Sequence, residues 1–188
     1  MRTTGPLEAI ALNLSDSVFN FVLNLFPDDY LSNSHLRPFL ARMFGLRCGR
    51  NCQIRKNIYF EARRNLIVGS NVFLNRQAYL DAVGGIRIGD NVRFGPQVML
   101  VTGSHEVGTS DMRTGTLIHK PIVIGEGCWL GARVLITAGV TIGKGSVISA
   151  GSVVQRSMPA DFLIAGNPAR AISRLDKLGP APDPQILT

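Results

Sequence analysis

The stretch Ile-Gly-Glu-Gly-Cys-Trp-Leu-Gly-Ala-Arg-Val-Leu-Ile-Thr-Ala-Gly-Val-Thr-Ile-Gly-Lys-Gly-Ser-Val-Ile-Ser-Ala-Gly-Ser-Val-Val (124–154) carries an aliphatic residue at every sixth position: Ile124, Leu130, Ile136, Ile142, Ile148 and Val154. That period is neither the roughly 3.6 of a helix nor simple alternation. Short strands joined by tight turns explain it, three hexapeptides closing one triangular coil. Toward the N-terminus the rhythm continues as Ile88, Phe94, Leu100, then Val68, Leu74, Leu80, then Cys48, Ile54, Phe60. Each earlier run restarts after a step of eight, so two-residue insertions fall at coil corners. A second column follows the first by four residues: Cys52, Ile58, Val72, Ala78, Gly84, Val92, Val98, Cys128, Val134, Val140, Ser146, Ser152 and Met158. Both columns are expected to point inward. Stacked coils bury a continuous core, and each aliphatic side chain in it contributes about 1.5–3 kcal/mol gross. Glycine often follows the aliphatic position, as at Gly95, Gly131 and Gly143, to relieve crowding or permit positive φ. Cys48, Cys52 and Cys128 fall in the two columns and read as small core residues, not as metal ligands.

The first 47 residues follow another rule. Leu7, Ile10, Leu14, Val18, Phe21 and Leu25 share one helical face, while Asn13, Ser17, Asn20 and Asn24 form a polar stripe. Phe19, Leu23 and Phe26 add apolar surface elsewhere. The helix is therefore expected to bury most of its girth, against the coils, a partner subunit or a membrane surface. Pro27 and Asp28-Asp29 end it, and a second short helix is expected over about 35–45. The basic residues Arg37, Arg42, Arg47, Arg50, Arg55, Lys56, Arg63 and Arg64 read as a solvated face. Beside an apolar helix they also fit weak peripheral association with an anionic bilayer. The organisation expected is a helical segment over 1–47, a coil domain over 48–174 with one long excursion loop over 102–121, and a flexible tail over 175–188.

A net charge of +7 favours polyanionic partners such as a nucleotide-bearing cofactor or an acidic glycan. Nucleic acid is not expected, because no aromatic-interleaved basic motif or recognition helix occurs. Three cysteines fit no closed disulfide framework. With no signal peptide, the expected compartment is the cytoplasm, or the inner face of the cytoplasmic membrane. No uncharged apolar run reaches the roughly 20 residues that span a bilayer.

The repeat breaks between Leu100 and Ile124, and the excursion holds His105 and His119, two of the three histidines. Long excursions from a rigid scaffold are commonly functional. A hydroxyl is a poor nucleophile at neutral pH, and a neutral imidazole takes its proton as the oxygen attacks a carbonyl. His105, flanked by small polar residues, is the candidate general base. A backbone N–H near the loop start suits the oxyanion. Zinc is not expected: His35 lies outside the repeats, and His105 and His119 share one loop.

Ile-Gly-Asp-Asn-Val (88–92), Thr-Gly-Ser-His (102–105), Pro-Ile-Val-Ile-Gly (121–125), Trp-Leu-Gly-Ala (129–132), Gly-Val-Thr-Ile-Gly (139–143) and Ala-Gly-Asn-Pro-Ala-Arg (165–170) follow one another in order. Together they resemble the hexapeptide-repeat acyltransferases, in the galactoside/maltose O-acetyltransferase branch. The excursion and Leu-Ser-Asn-Ser-His-Leu-Arg (31–37) look closest to colanic-acid-type polysaccharide O-acetyltransferases. The resemblance covers roughly 46–172. It implies an all-β core wound as a left-handed parallel β-helix; periodicity alone carries no hand, and the usual crossover preference would give the opposite one. It further implies transfer of an acetyl group from acetyl-CoA to a saccharide hydroxyl, without a metal, in a homotrimer with active sites between subunits. By resemblance, His105 is the catalytic base. Asn75, Asp81 and Trp129 contact the acceptor. Trp129, Ala132, Ala150, Arg156 and Arg170 line the coenzyme A site, with Arg156 keeping the charge of a Thr-Lys pair that is Gln155-Arg156 here. A small free acceptor (simple sugar, serine or amino sugar) and a non-catalytic scaffold are the alternatives.

Overall fold

The computed structural model describes residues 6–175; side chains are described from residue 14 onward. The tail expected from 175 therefore lies, but for its first residue, outside the described residues, as do the side chains of Leu7, Ile10 and Asn13.

Residues 47–166 wind into a left-handed parallel β-helix of about six turns. Strands of two or three residues form three parallel sheets, one on each face of a triangular prism. Strands this short accumulate little twist, so the twist that normally enforces right-handed crossovers has little purchase here. The predicted aliphatic column is the core. Its members from Ile54 to Val154 are at most 3% exposed, and they stack in register, Val68 on Ile88 and Ile124 on Ile142. The earlier coils are longer by two residues, inserted at the corner between the third face and the first: Leu66, Ile86 and Ile122 open the first face after it. Two expectations shift there. Gly84 is only half-buried, and Ala82 and Ile86 take the inward places. Cys48, in the terminal coil, is half-buried, whereas Cys52 and Cys128 are buried as expected.

The glycines after the aliphatic column are needed for space. A Cβ on Gly131 would stand 2.5 Å from the backbone nitrogen of Ala150 in the next coil. Positive φ belongs instead to the residue before the second column. Asn51, Asn71 and Asn91 adopt it at 54–60°, a conformation Asn tolerates. Their side-chain amides form a ladder at 3.2 Å per rung along one edge of the prism.

Helix α1 (Pro6–Asn24) and helix α2 (Arg37–Met43) cap the first coil. The polar stripe of α1 lies against the open edge of the third sheet. Asn20 donates to the carbonyl of Phe60 at 2.8 Å and accepts from its N–H at 2.9 Å. Asn24 accepts from the N–H of Asn57 and Asp16 from that of Ala62. The helix thus supplies the bonds that a further strand would make. Phe19 and Leu23 close the core beneath.

Two basic residues do not join a solvated face. Arg37 is fully buried. It donates to the carbonyls of Leu23 at 2.9 Å and of Pro27 at 3.0 Å, satisfying groups at the C-terminal end of α1. Arg63 is buried and paired with Asp16. Arg55 is paired with Asp28. The coils cover only one side of α1: Leu14, Val18 and Phe21, with Leu25 just past its end, are exposed in the single chain. At the other end a hairpin, Phe162–Gly166 with Ala169–Arg174, closes the second sheet.

Candidate active site

The excursion is an antiparallel arm, not an irregular loop: Gly103–Val107 pairs with Thr114–His119. It leaves the prism at the corner after the third face, where the earlier coils carry their insertions. At its root sits Asp81, only 7% exposed. Its carboxylate accepts from the N–H groups of Val83 (3.0 Å), Thr102 (3.1 Å) and Gly103 (3.0 Å), and from Thr102 Oγ1 at 3.2 Å. Thr102 Oγ1 in turn accepts from Gly84 N–H at 2.8 Å. One carboxylate therefore ties two successive coils to the first residues of the arm. His119 stands opposite Gly103 at the same root, its Nδ1 buried without a partner.

Two residues past Gly103, the exposed His105 places Nδ1 3.0 Å from the carbonyl oxygen of Gly115 on the returning strand. A carbonyl only accepts, so this bond puts the ring proton on Nδ1 and leaves the Nε2 lone pair free. That is the tautomer a general base requires. A groove of about 330 Å³ runs along the foot of the arm on the third face, between Met99, Val101 and Leu135 on the prism and Ser104, Ile118 and Lys120 on the arm.

The other residues singled out in the sequence lie elsewhere on the prism. Asn75 is half-buried at the corner between second and third faces, its Oδ1 accepting from Arg76 N–H at 2.8 Å. Ala132 and Ala150 stand at this corner on successive coils, joined by the bond from Gly151 N–H to Ala132 O at 2.8 Å. They form a smooth rail of small residues. Trp129, 53% exposed, lies on the outer second face between Arg93 and Val147. Arg156 and Arg170 are brought together by the closing hairpin and line one small depression with Gln155, Pro168 and Ala169.

Within one chain, then, the structure pairs the two arginines and aligns the two alanines, but His105 stands one corner away from Asn75 and the rail. Sequence reasoning missed Thr102 and Gly115, which root the arm and orient the imidazole. Only the Thr102-Gly103-Ser104 run leading into His105 could have flagged the first. Among the described residues no three of His, Cys, Asp and Glu converge as a metal centre. A groove of about 1190 Å³ lies at the helical cap, away from the arm.

Residues 121–156 match the family model described as the hexapeptide repeat of succinyl-transferase. A protein of Escherichia coli (strain K12) named as a colanic acid biosynthesis acetyltransferase, WcaF, is 38% identical over 136 residues, 72% of this chain and 73% of its own length. The galactoside O-acetyltransferase of the same organism is 32% identical over 151 residues, 80% of this chain and 74% of that protein. Among solved structures, the hexapeptide-repeat acetyltransferase VCA0836 of Vibrio cholerae O1 biovar eltor, in complex with acetyl coenzyme A, superimposes with a TM-score of 0.81 at 31% identity, covering 91% of each chain. The chain belongs to the hexapeptide-repeat acetyltransferases, in the galactoside/maltose O-acetyltransferase branch of that family.

Proposed function

We propose that this protein transfers an acetyl group from acetyl-CoA to a hydroxyl of a saccharide in surface polysaccharide or glycan biosynthesis, acting in the cytoplasm as a homotrimer. The observation that carries the reading is the His105 ring, held through Nδ1 by the Gly115 carbonyl two residues from the clasped root of the arm. Nε2 takes the proton of the acceptor hydroxyl as its oxygen attacks the thioester carbonyl. The tetrahedral intermediate collapses, the C–S bond breaks, and the imidazolium returns the proton to the departing thiolate. Acetyl ester and free coenzyme A are the products.

What one chain leaves undone supports an assembly in which subunits share the site. The arm exposes Val107 at 85% and Leu117 at 54%, and His105 is separated from Asn75, Trp129 and the alanine rail. An arm reaching across to a neighbour's second-to-third-face corner would bring them together. There, Ala132 and Ala150 leave room for the extended pantetheine arm, Arg156 and Arg170 offer charge to its phosphates, and Asn75 and Trp129 meet the acceptor. Asp81 is best used as the anchor of the arm, since its carboxylate already accepts four hydrogen bonds.

The test is thiol release from acetyl-CoA across a panel of saccharide acceptors, with mass analysis for an added acetyl group. His105→Ala should lower turnover by about 10² or more without changing the melting temperature. A folded mutant with a near-normal rate would overturn the assignment, and wild-type protein releasing no thiol with any acceptor would favour a scaffold.

A further inference from the structure

Three apolar side chains of α1, and Leu25 just past its end, lack cover. Leu14, Val18, Phe21 and Leu25 are 65, 45, 66 and 59% exposed, and their four-three-four spacing sets them in one stripe. At about 100° per residue, the stripe is centred roughly 130° around the helix from the row Asp16, Asn20, Asn24 that holds the edge strand. It looks away from the prism. The rest of the cap is built the same way. Tyr30, Leu31, Phe39 and Met43 are 57–73% exposed.

Cations accompany these side chains. The groove of about 1190 Å³ has Leu31, Leu36 and Phe39 in its walls together with Arg42 and Arg50. A second depression combines Met43 with Arg47 and Arg64. Among the described side chains of the cap, Asp16 is paired with Arg63 and Asp28 with Arg55 and Arg76, which leaves Asp29, bonded to Ser32, as the carboxylate there without a cationic partner. The outer surface is therefore apolar and positive at once.

We propose that this end of the prism docks on an anionic phospholipid bilayer. The α1 stripe and the cap's apolar side chains enter the acyl boundary, while Arg42, Arg47, Arg50 and Arg64 meet lipid phosphates. A second copy fits less well, because cap against cap sets these cations against each other. No helix among the described residues is long and apolar enough to cross a membrane, so the contact is interfacial. Parallel prisms in a trimer would present three caps to one plane and multiply a weak affinity. That multiplication rests on the proposed assembly; the docking itself does not. The arm roots two rungs above the first coil, about 10 Å along the prism at roughly 4.8 Å per rung.

The test is co-sedimentation of the full chain with vesicles of phosphatidylcholine alone or mixed with phosphatidylglycerol. Binding is expected only to the anionic vesicles and should weaken as salt rises. Phe21→Asp/Leu25→Asp and Arg47→Glu/Arg50→Glu should each lower partitioning by about tenfold or more. Thiol release with a soluble acceptor and the sedimentation-velocity mass should stay as in the parent. Folded, active protein that ignores anionic vesicles overturns the proposal. So does a Phe21→Asp/Leu25→Asp protein of altered oligomeric mass, which would assign the stripe to a subunit contact. Because acetyl transfer is read separately, failure of docking and failure of the acetyltransferase reading give different results.

Discussion

Asp81→Ala removes the one carboxylate that roots the arm. Thr102 would keep alternatives, since its N–H and hydroxyl also reach the Asp81 backbone carbonyl at 3.3 and 2.9 Å. The N–H groups of Val83 and Gly103 would lose their acceptor altogether. A hydrogen bond to a charged group contributes about 1.5–3 kcal/mol. Two such losses give about 3–6 kcal/mol, and water entering the vacated space brings the expected destabilisation to about 2–4 kcal/mol. Asp81→Asn keeps the shape and one oxygen, so roughly half that cost is expected. Urea melts give the stability, and hydrogen exchange at Gly103–His105 reports the arm directly. A loosened arm also misplaces His105, and an error of about 1 Å at a reacting group can cost on the order of 10² in rate. The loss should fall on kcat, with the acceptor KM little changed. Wild-type stability and unchanged exchange in the Ala variant would refute the clasp. A raised acceptor KM with kcat preserved would instead put Asp81 against the substrate.

Other expectations are simpler to check. Ile136 is fully buried between Leu100 and Val154; Ile136→Asp should destabilise by more than about 4 kcal/mol, and a soluble mutant with a native circular dichroism spectrum would contradict the inward column. Arg55 first, aided by Asn33 and Arg76, holds the Asp28 carboxyl well below the usual carboxylate range against the opposing effect of burial. A depressed folded pKa stabilises above the unfolded value of about 3.9 and loses that contribution as pH falls. Asp28→Asn should therefore cost about 1–2 kcal/mol at neutral pH, discounted because Arg76 is more than half exposed, and the gap should narrow progressively as pH falls below about 4 toward the depressed folded value. An equal gap at pH 3 and pH 7 in urea melts would remove Asp28 from the acid transition.

The coil was legible because a period of six admits one arrangement of short strands, and burial along the column from Ile54 to Val154 follows it without interruption. Its hand was not, since spacing has no sign. The α1 polar stripe was visible in Asn20 and Asn24, but its purpose was not: the backbone it satisfies lies 34–40 residues away in sequence. Arg37 and Arg63 were misread as solvated for the same reason. Their acceptors are carbonyls and an Asp that only the fold brings near. At the arm, His105 announced itself by interrupting the rhythm. Asp81 and Thr102 meet across one coil, and their 21-residue separation acquires meaning only once the two-residue insertion in that coil is counted.

The amide contacts of Asn20 and Asn24 bear on how this molecule avoids becoming a fibre. A stack of identical rungs has no intrinsic length, and each bare end could template the next molecule indefinitely. By standing in for one more rung along the third sheet while offering no hydrogen-bonding edge of its own, the helix acts as a chain stop. A finite enzyme results from a repeat that could otherwise polymerise.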